Sequence, residues 1–159
     1  MKPKTKCIFC SIIKDELGAV KVFENSDFIA FMDKYPINRG HTLVLPKNHH
    51  ESIFTMSDDE VGKLFSIVSI LSEGIMKALD AKGLNIGQNN GKAANQIVPH
   101  VHVHIIPRYS YDSPNGRWPS RNLISDEELE KIAEKIRSSL TLDGIRARLT
   151  YTSDVNVRV

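Results

Sequence analysis

Apolar residues recur at helical spacing behind Ser57-Asp58-Asp59-Glu60: Val61, Leu64, Phe65, Val68, Leu71, Ile75 and Leu79. The S-x-x-E start is a capping box with extra acid in the first turn. It predicts a helix from about 58 to 80, ending near Gly83. A second box, Ser125-Asp126-Glu127-Glu128, opens a helix through about Leu140, with Leu129, Ile132, Ala133, Ile136 and Leu140 on one face. Ile8–Leu17 reads as one short helix. Shorter apolar runs predict strands. Lys21–Glu24 and Phe28–Met32 flank the hairpin-type turn Asn25-Ser26-Asp27. After the breaker-rich loop Tyr35–Gly40 comes His41–Leu45, a strand ended by Pro46. Leu84–Asn90 and Val98–Pro107 are two more, the latter alternating strictly over His100–His104.

Pro107–Ser125 holds three prolines and reads as a long loop of the kind that carries function. In the tail, Ile145, Ala147, Leu149, Tyr151, Val155, Val157 and Val159 all fall on odd positions, a strand period. The expected organisation is one domain over 1–140 and an extension over 141–159 that is a candidate strand. Helices and strands mix without a βαβ rhythm. The fold class expected is therefore α+β with an antiparallel sheet.

Composition narrows the function. The chain has 159 residues, 41% of them hydrophobic, with a formal net charge of +2. That size buries a core without disulfide staples, and low charge with ample apolar content excludes whole-chain disorder. No apolar run approaches the roughly 18 residues of a membrane span. A pI near 8.5 is too mild to argue for a nucleic-acid partner. The N-terminus, MKPKTKCIFC, is basic but has no apolar segment of the secretory type, so a cytoplasmic protein is expected. The two cysteines form Cys7-x-x-Cys10; in a reducing compartment that spacing suits a metal, a redox pair or two free thiols.

The six histidines fall into two clusters: His41, His49 and His50, then His100, His102 and His104. On a strand, alternate residues share a face, so the second cluster would align three imidazoles about 6.5 Å apart. Each needs hydrogen-bond partners if buried. A neutral imidazole is both a nucleophile and a proton carrier near pH 7. The bland alternative is a run of surface histidines, and a zinc site is a third possibility. Three in phase beside Gln96, Asn89 and Asn90 favour chemistry. For His50 the expectation is simple surface exposure.

Asn89-Asn90-Gly91, then Gln96-Ile97-Val98-Pro99-His100-Val101-His102-Val103-His104-Ile105-Ile106-Pro107-Arg108, resembles the signature of the histidine-triad (HIT) superfamily. Cys7-Ile8-Phe9-Cys10, Phe31-Met32-Asp33 and Gly40-His41 through His49 resemble its N-terminal half, so the likeness runs from about Lys6 to Arg108. It implies a five-stranded antiparallel sheet, joined across a homodimer. It also implies hydrolysis or nucleotidyl transfer at the α-phosphate of a purine nucleotide conjugate. His102 would be the nucleophile that becomes nucleotidylated, and His104 would orient it and contact phosphate. Gln96 and Asn89 would donate amide hydrogens to phosphate, with His41 an accessory histidine. Asp33 would accept from the ribose hydroxyls, while Ile8, Phe9 and Phe31 would wall the base, core packing being the alternative for these three. The resemblance implies structural zinc on Cys7, Cys10, His49 and His100, and possible use of Mg2+ or Mn2+ with polyphosphate substrates.

Two details modify that picture. Asn95 stands where the family usually has glycine before the glutamine; asparagine tolerates left-handed backbone, so the turn is expected to survive. His104 stands where related transferases carry glutamine, which favours a hydrolase. The rival expectation is a nucleotide-binding regulatory protein with negligible turnover. A repair enzyme acting on nucleic-acid ends would need a basic platform that the chain does not display.

Overall fold

The computed structural model describes residues 7–113, 117–149 and 157–159. Five antiparallel strands form one sheet: β1 (Lys21–Glu24), β2 (Phe28–Met32), β3 (Thr42–Pro46), β4 (Gly83–Gln88) and β5 (Val103–Arg108). Their spatial order is β1-β2-β3-β5-β4. Among the described residues four α-helices accompany them: α1 (Ile8–Ile13), α2 (Asp58–Leu79), α3 (Asp126–Ser139) and α4 (Leu142–Arg148). Among the described residues no helix is long and apolar enough to cross a membrane.

Strand parity divides the core. Phe28, Ala30 and Met32 of β2, Val44 of β3, and Val103 and Ile105 of β5 pack with the apolar stripes of α2 and α3. Ile29, Phe31, Leu43 and Leu45 point the other way, into a smaller cluster with Phe9 and Ile12 of α1. Both central strands β2 and β3 are thus buried on both faces. His104 is one residue from Val103 and from Ile105, so it projects on the α1 side, opposite Leu43 in register.

Local chemistry sets the boundaries. Ser57 and Glu60 complete the reciprocal capping box of α2. Asp80, with φ 51°, closes that helix in the left-handed conformation, ahead of the expected Gly83. Ser125 accepts from the Glu128 N–H, but the reciprocal half of this second box is not formed. Helix α1 stops at Ile13, shorter than the expected Ile8–Leu17, where Lys14 and then Asp15 (φ 57°) leave helical geometry.

Two further expectations are corrected. The predicted strand Val98–Pro107 begins only at Val103; the Val101 N–H instead bonds the His50 carbonyl at 2.7 Å. The first part of the tail is helix rather than strand: Thr141 caps α4 by accepting from the Gly144 N–H. Ile145 and Leu149, four residues apart, share a helical face as readily as a strand face, and both are buried. Farther on, Arg158 bridges Glu24 of β1. The positions Tyr151 and Val155 lie outside the described residues.

Candidate functional site

Thr42, Leu43 and Val44 pair with Ile105, His104 and Val103, which places His41, the residue before β3, alongside the middle of β5 and on the same face as His104. Its ring and that of His104 lie 5.1 Å apart, and those of His102 and His104 4.9 Å apart. Phe9 of α1 sits edge-on to His102 at 5.1 Å and to Phe31 at 5.7 Å. Helix α1 therefore closes one side of the imidazole cluster.

The hydrogen bonds fix the tautomers. His41 Nδ1 accepts from the Ile37 N–H at 3.0 Å. The proton of a neutral His41 therefore sits on Nε2, which donates to His104 Nδ1 at 2.9 Å. His104 in turn carries its proton on Nε2. His102 Nδ1–H donates to the His100 carbonyl at 2.7 Å, which leaves the Nε2 lone pair free.

All three rings are held neutral at pH 7. Burial, then the neighbouring His104, Arg121 and His102, push the wholly buried His41 down to about 2. Its Nδ1 also lies 3.6 Å from Asp33 Oδ2, a contact that becomes an ion pair only on protonation. Burial and then His102 and Arg121 lower His104 to about 4. Burial lowers His102 against the opposing pull of the His100 carbonyl and Asp33.

Asp33 is buried beside these rings. Its Oδ1 accepts from the Tyr35 N–H at 2.9 Å and its Oδ2 from Arg121 at 3.0 Å. Asn89 is half-buried, and its side-chain amide has no partner among the described residues. Ile8 is 48% exposed, whereas Phe9 and Phe31 lie in the α1-side core. Asn95 has φ 61°, so asparagine does supply the left-handed turn expected of it.

Gln96 requires a correction. Its Oε1 accepts from the Gly91 N–H at 2.7 Å, and its Nε2 donates to the Glu51 and Val98 carbonyls at 2.7 and 3.1 Å. Both amide hydrogens are spent, so the side chain braces the loop and has none left for a phosphate. His50 is corrected too. It is half-buried rather than exposed, with Nε2 3.4 Å from Glu60 Oε1.

On the far side of His100 the two cysteines complete a second group. Cys7 Sγ and Cys10 Sγ each lie 3.6 Å from His100 Nδ1. His49 Nδ1 is 3.3 Å from Cys10 Sγ and 3.2 Å from His100 Nδ1. The four donor atoms all fall within 4.8 Å of one another. His100 Nε2–H donates to the Pro46 carbonyl at 2.8 Å, so Nδ1 presents a lone pair to the group. This donor set fits a closed tetrahedral zinc site. Asp33, His41 and His104 are also close together, but both His41 nitrogens are committed to protein hydrogen bonds.

One pairing is not legible in the sequence, although Arg121 lies in the long loop whose aromatics and arginines read as a lid over the substrate or as a loop pinned by its aromatics. Arg121 reaches Asp33 across 88 residues, from within the long loop, and no local signal announces that pairing. Arg108 pins the start of the same loop, with Nη2 on Asp112 at 2.9 Å and the guanidinium 5.1 Å from the Trp118 ring.

Comparison with known proteins matches the HIT domain to residues 14–111. An uncharacterized HIT-like protein of Methanocaldococcus jannaschii is 44% identical over 127 residues, covering 79% of this chain and 98% of that protein. The adenosine 5'-monophosphoramidase of Schizosaccharomyces pombe is 38% identical over 135 residues, covering 84% and 98%. Among solved structures, a Zn-bound histidine triad family protein from Mycobacterium smegmatis superposes with a TM-score of 0.74 at 30% identity, covering 84% of this chain and 92% of that one.

Proposed function

Because the chain belongs to the HIT family, we propose that it is a nucleotide hydrolase cleaving at the α-phosphate of a purine nucleotide conjugate. The substrate is a dinucleoside polyphosphate or a nucleoside phosphoramidate, and a nucleotidyl group passes through His102. The observation that carries this reading is the hydrogen-bond chain. It leaves a free Nε2 lone pair on a neutral His102, beside a His104 whose Nε2 bears a proton.

In the first step His102 Nε2 attacks the α-phosphorus as the bond to the leaving group breaks. The leaving group departs with the bonding pair; an amine also takes a solvent proton. The ring becomes cationic, and the His100 carbonyl on its Nδ1–H stabilises that charge. His104 Nε2–H, held in direction by His41, donates to a non-bridging oxygen where charge builds. Water then attacks phosphorus and gives up a proton to solvent, the phosphorus–nitrogen bond breaks, His102 regains its lone pair, and a nucleoside monophosphate leaves.

The Asn89 amide is available as a further donor. Each Asp33 oxygen has one partner and keeps a lone pair for a ribose hydroxyl. Ile8, with the edge of Phe9, faces the base. Zinc on Cys7, Cys10, His49 and His100 would supply a structural crosslink between α1 and the segment carrying His102, and no step of the reaction passes through it. The half-exposed Ile86 on edge strand β4 supports pairing of two copies as a homodimer. The need for Mg2+ or Mn2+ depends on whether the leaving group is a polyphosphate.

The test is turnover of diadenosine tetraphosphate and of an adenosine phosphoramidate by wild type and His102→Asn. The reading expects cleavage of at least one by wild type, and its loss in the variant with adenosine monophosphate binding kept. Tight nucleotide binding without cleavage by wild type would favour a regulatory binding protein instead.

A further inference from the structure

Arg121 is held at the edge of the imidazole cluster in a specific way. Its Nη1 serves two acceptors, Asp33 Oδ2 at 3.0 Å and the Tyr35 carbonyl at 2.7 Å. The chain around it is stitched to the same loop. The Ile124 N–H bonds the Lys34 carbonyl at 3.3 Å, and Lys34 Nζ lies 3.4 Å from Asp126. The strap from 121 to 126 therefore crosses residues 33–35 and delivers the guanidinium to the buried carboxylate.

A guanidinium has five N–H donors in a rigid fork. The two on Nη1 are committed. The Nε–H and the Nη2 pair have no partner among the described residues, and the side chain is 44% exposed. This free edge has the geometry that grips two oxygens of one phosphate. Asp33, which it holds, lies beside the cluster: Asp33 Oδ2 is 3.6 Å from His41 Nδ1, and His41 bonds His104. The positive field of Arg121 reaches His41, His102 and His104, whose proton affinities it depresses. The Asp33 carboxylate meets the Nη1 side of the guanidinium, while the Nε–H and Nη2 donors are left for an anion.

Resting on the hydrolase reading above, we propose that Arg121 is a specificity-determining residue for the leaving group. Its Nε/Nη2 edge binds a phosphate beyond the α-phosphate, so the site prefers nucleotides whose leaving group is a polyphosphate over those that release a neutral amine. The Nη1 contacts to Asp33 and Tyr35 hold the fork ready, so little side-chain freedom is lost on binding.

Comparison of wild type with Arg121→Gln and Arg121→Lys tests this, each variant first checked for an unchanged melting transition. Two ratios are read: kcat/KM for diadenosine tetraphosphate over that for adenosine 5'-phosphoramidate, and affinity for adenosine 5'-tetraphosphate over that for adenosine monophosphate. Loss of Asp33 orientation would weaken all four ligands alike and cancel in both ratios. A lost charged phosphate contact lowers both ratios by about tenfold or more in Arg121→Gln, with Arg121→Lys intermediate. Unchanged ratios overturn the assignment while leaving the hydrolase reading standing. Wild type that binds nucleotides without turnover removes the hydrolase reading, and the affinity ratio still decides the role of Arg121. Wild type that binds none of them overturns both.

Discussion

Acidification from pH 7.5 to pH 5 should destabilise this protein sharply, and the loss can be worked from the imidazole cluster. His41 is held at about 2 and His104 at about 4 in the fold, against about 6.5 in the unfolded chain. Below pH 6.5 the unfolded chain binds a proton at each while the fold does not. Folding stability therefore rises with pH in this window and falls as acid is added. Two such sites give a slope of about 2.7 kcal/mol per pH unit, hence about 4 kcal/mol lost at pH 5. That is a large share of a typical stability of about 5–15 kcal/mol. His102 shifts in the same direction and burial holds His100 at about 4, so both add to the loss. The carboxylates with lowered proton affinity, Glu24, Glu60 and Asp112 among them, contribute only once the pH nears their ordinary values, below this window. Urea unfolding at half-unit steps from pH 7.5 to 5 measures the slope. In His104→Gln it should fall by about 1.4 kcal/mol per unit. A flat profile from pH 6.5 to 5 would refute the claim that these rings are buried and neutral.

Other consequences are simpler to check. Gly40 has φ +87°, and a Cβ there would press into Leu79 and lie 3.1 Å from Pro107 Cγ. Gly40→Ala should therefore cost about 2–4 kcal/mol from left-handed strain plus overpacking, visible as a lowered urea midpoint. Gln96→Ala removes three hydrogen bonds that brace residues 91–98; amide exchange there should quicken by about tenfold or more, with the rest of the sheet protected as before. Cys10→Ser should lower metal content, measured by elemental analysis, from about one zinc per chain toward none, and lower the melting temperature with it.

Much of this was legible in the sequence because the signals were local. Strands β1 and β2 fall at the residues their apolar runs marked, and the box at Ser57 starts α2. Parity also predicted which side of β5 Val103 and His104 face. Parity reports side-chain direction and not backbone pairing, so it could not show that the segment before Val103 bonds His50 rather than a strand. The same ambiguity hid α4, since Ile145 and Leu149 satisfy both periods. Side-chain accounting is less visible still. The amide type of Gln96 suggested a phosphate donor, but its consumption by the Glu51 carbonyl, 45 residues away, emerges only in three dimensions. The grouping of Cys7, Cys10, His49 and His100 had followed from family resemblance, and the fold brings those four donors together. The Arg121–Asp33 pair had no sequence signal at all.

The central claim is that His102 Nε2 takes up the nucleotidyl group. Rapid acid-free quenching of wild type during turnover of an adenosine phosphoramidate, followed by peptide mass spectrometry, tests it most directly. The account predicts one adenylyl group on the peptide containing His102, absent in His102→Asn. An adenylyl group on another residue, or undiminished turnover in that variant, would contradict it.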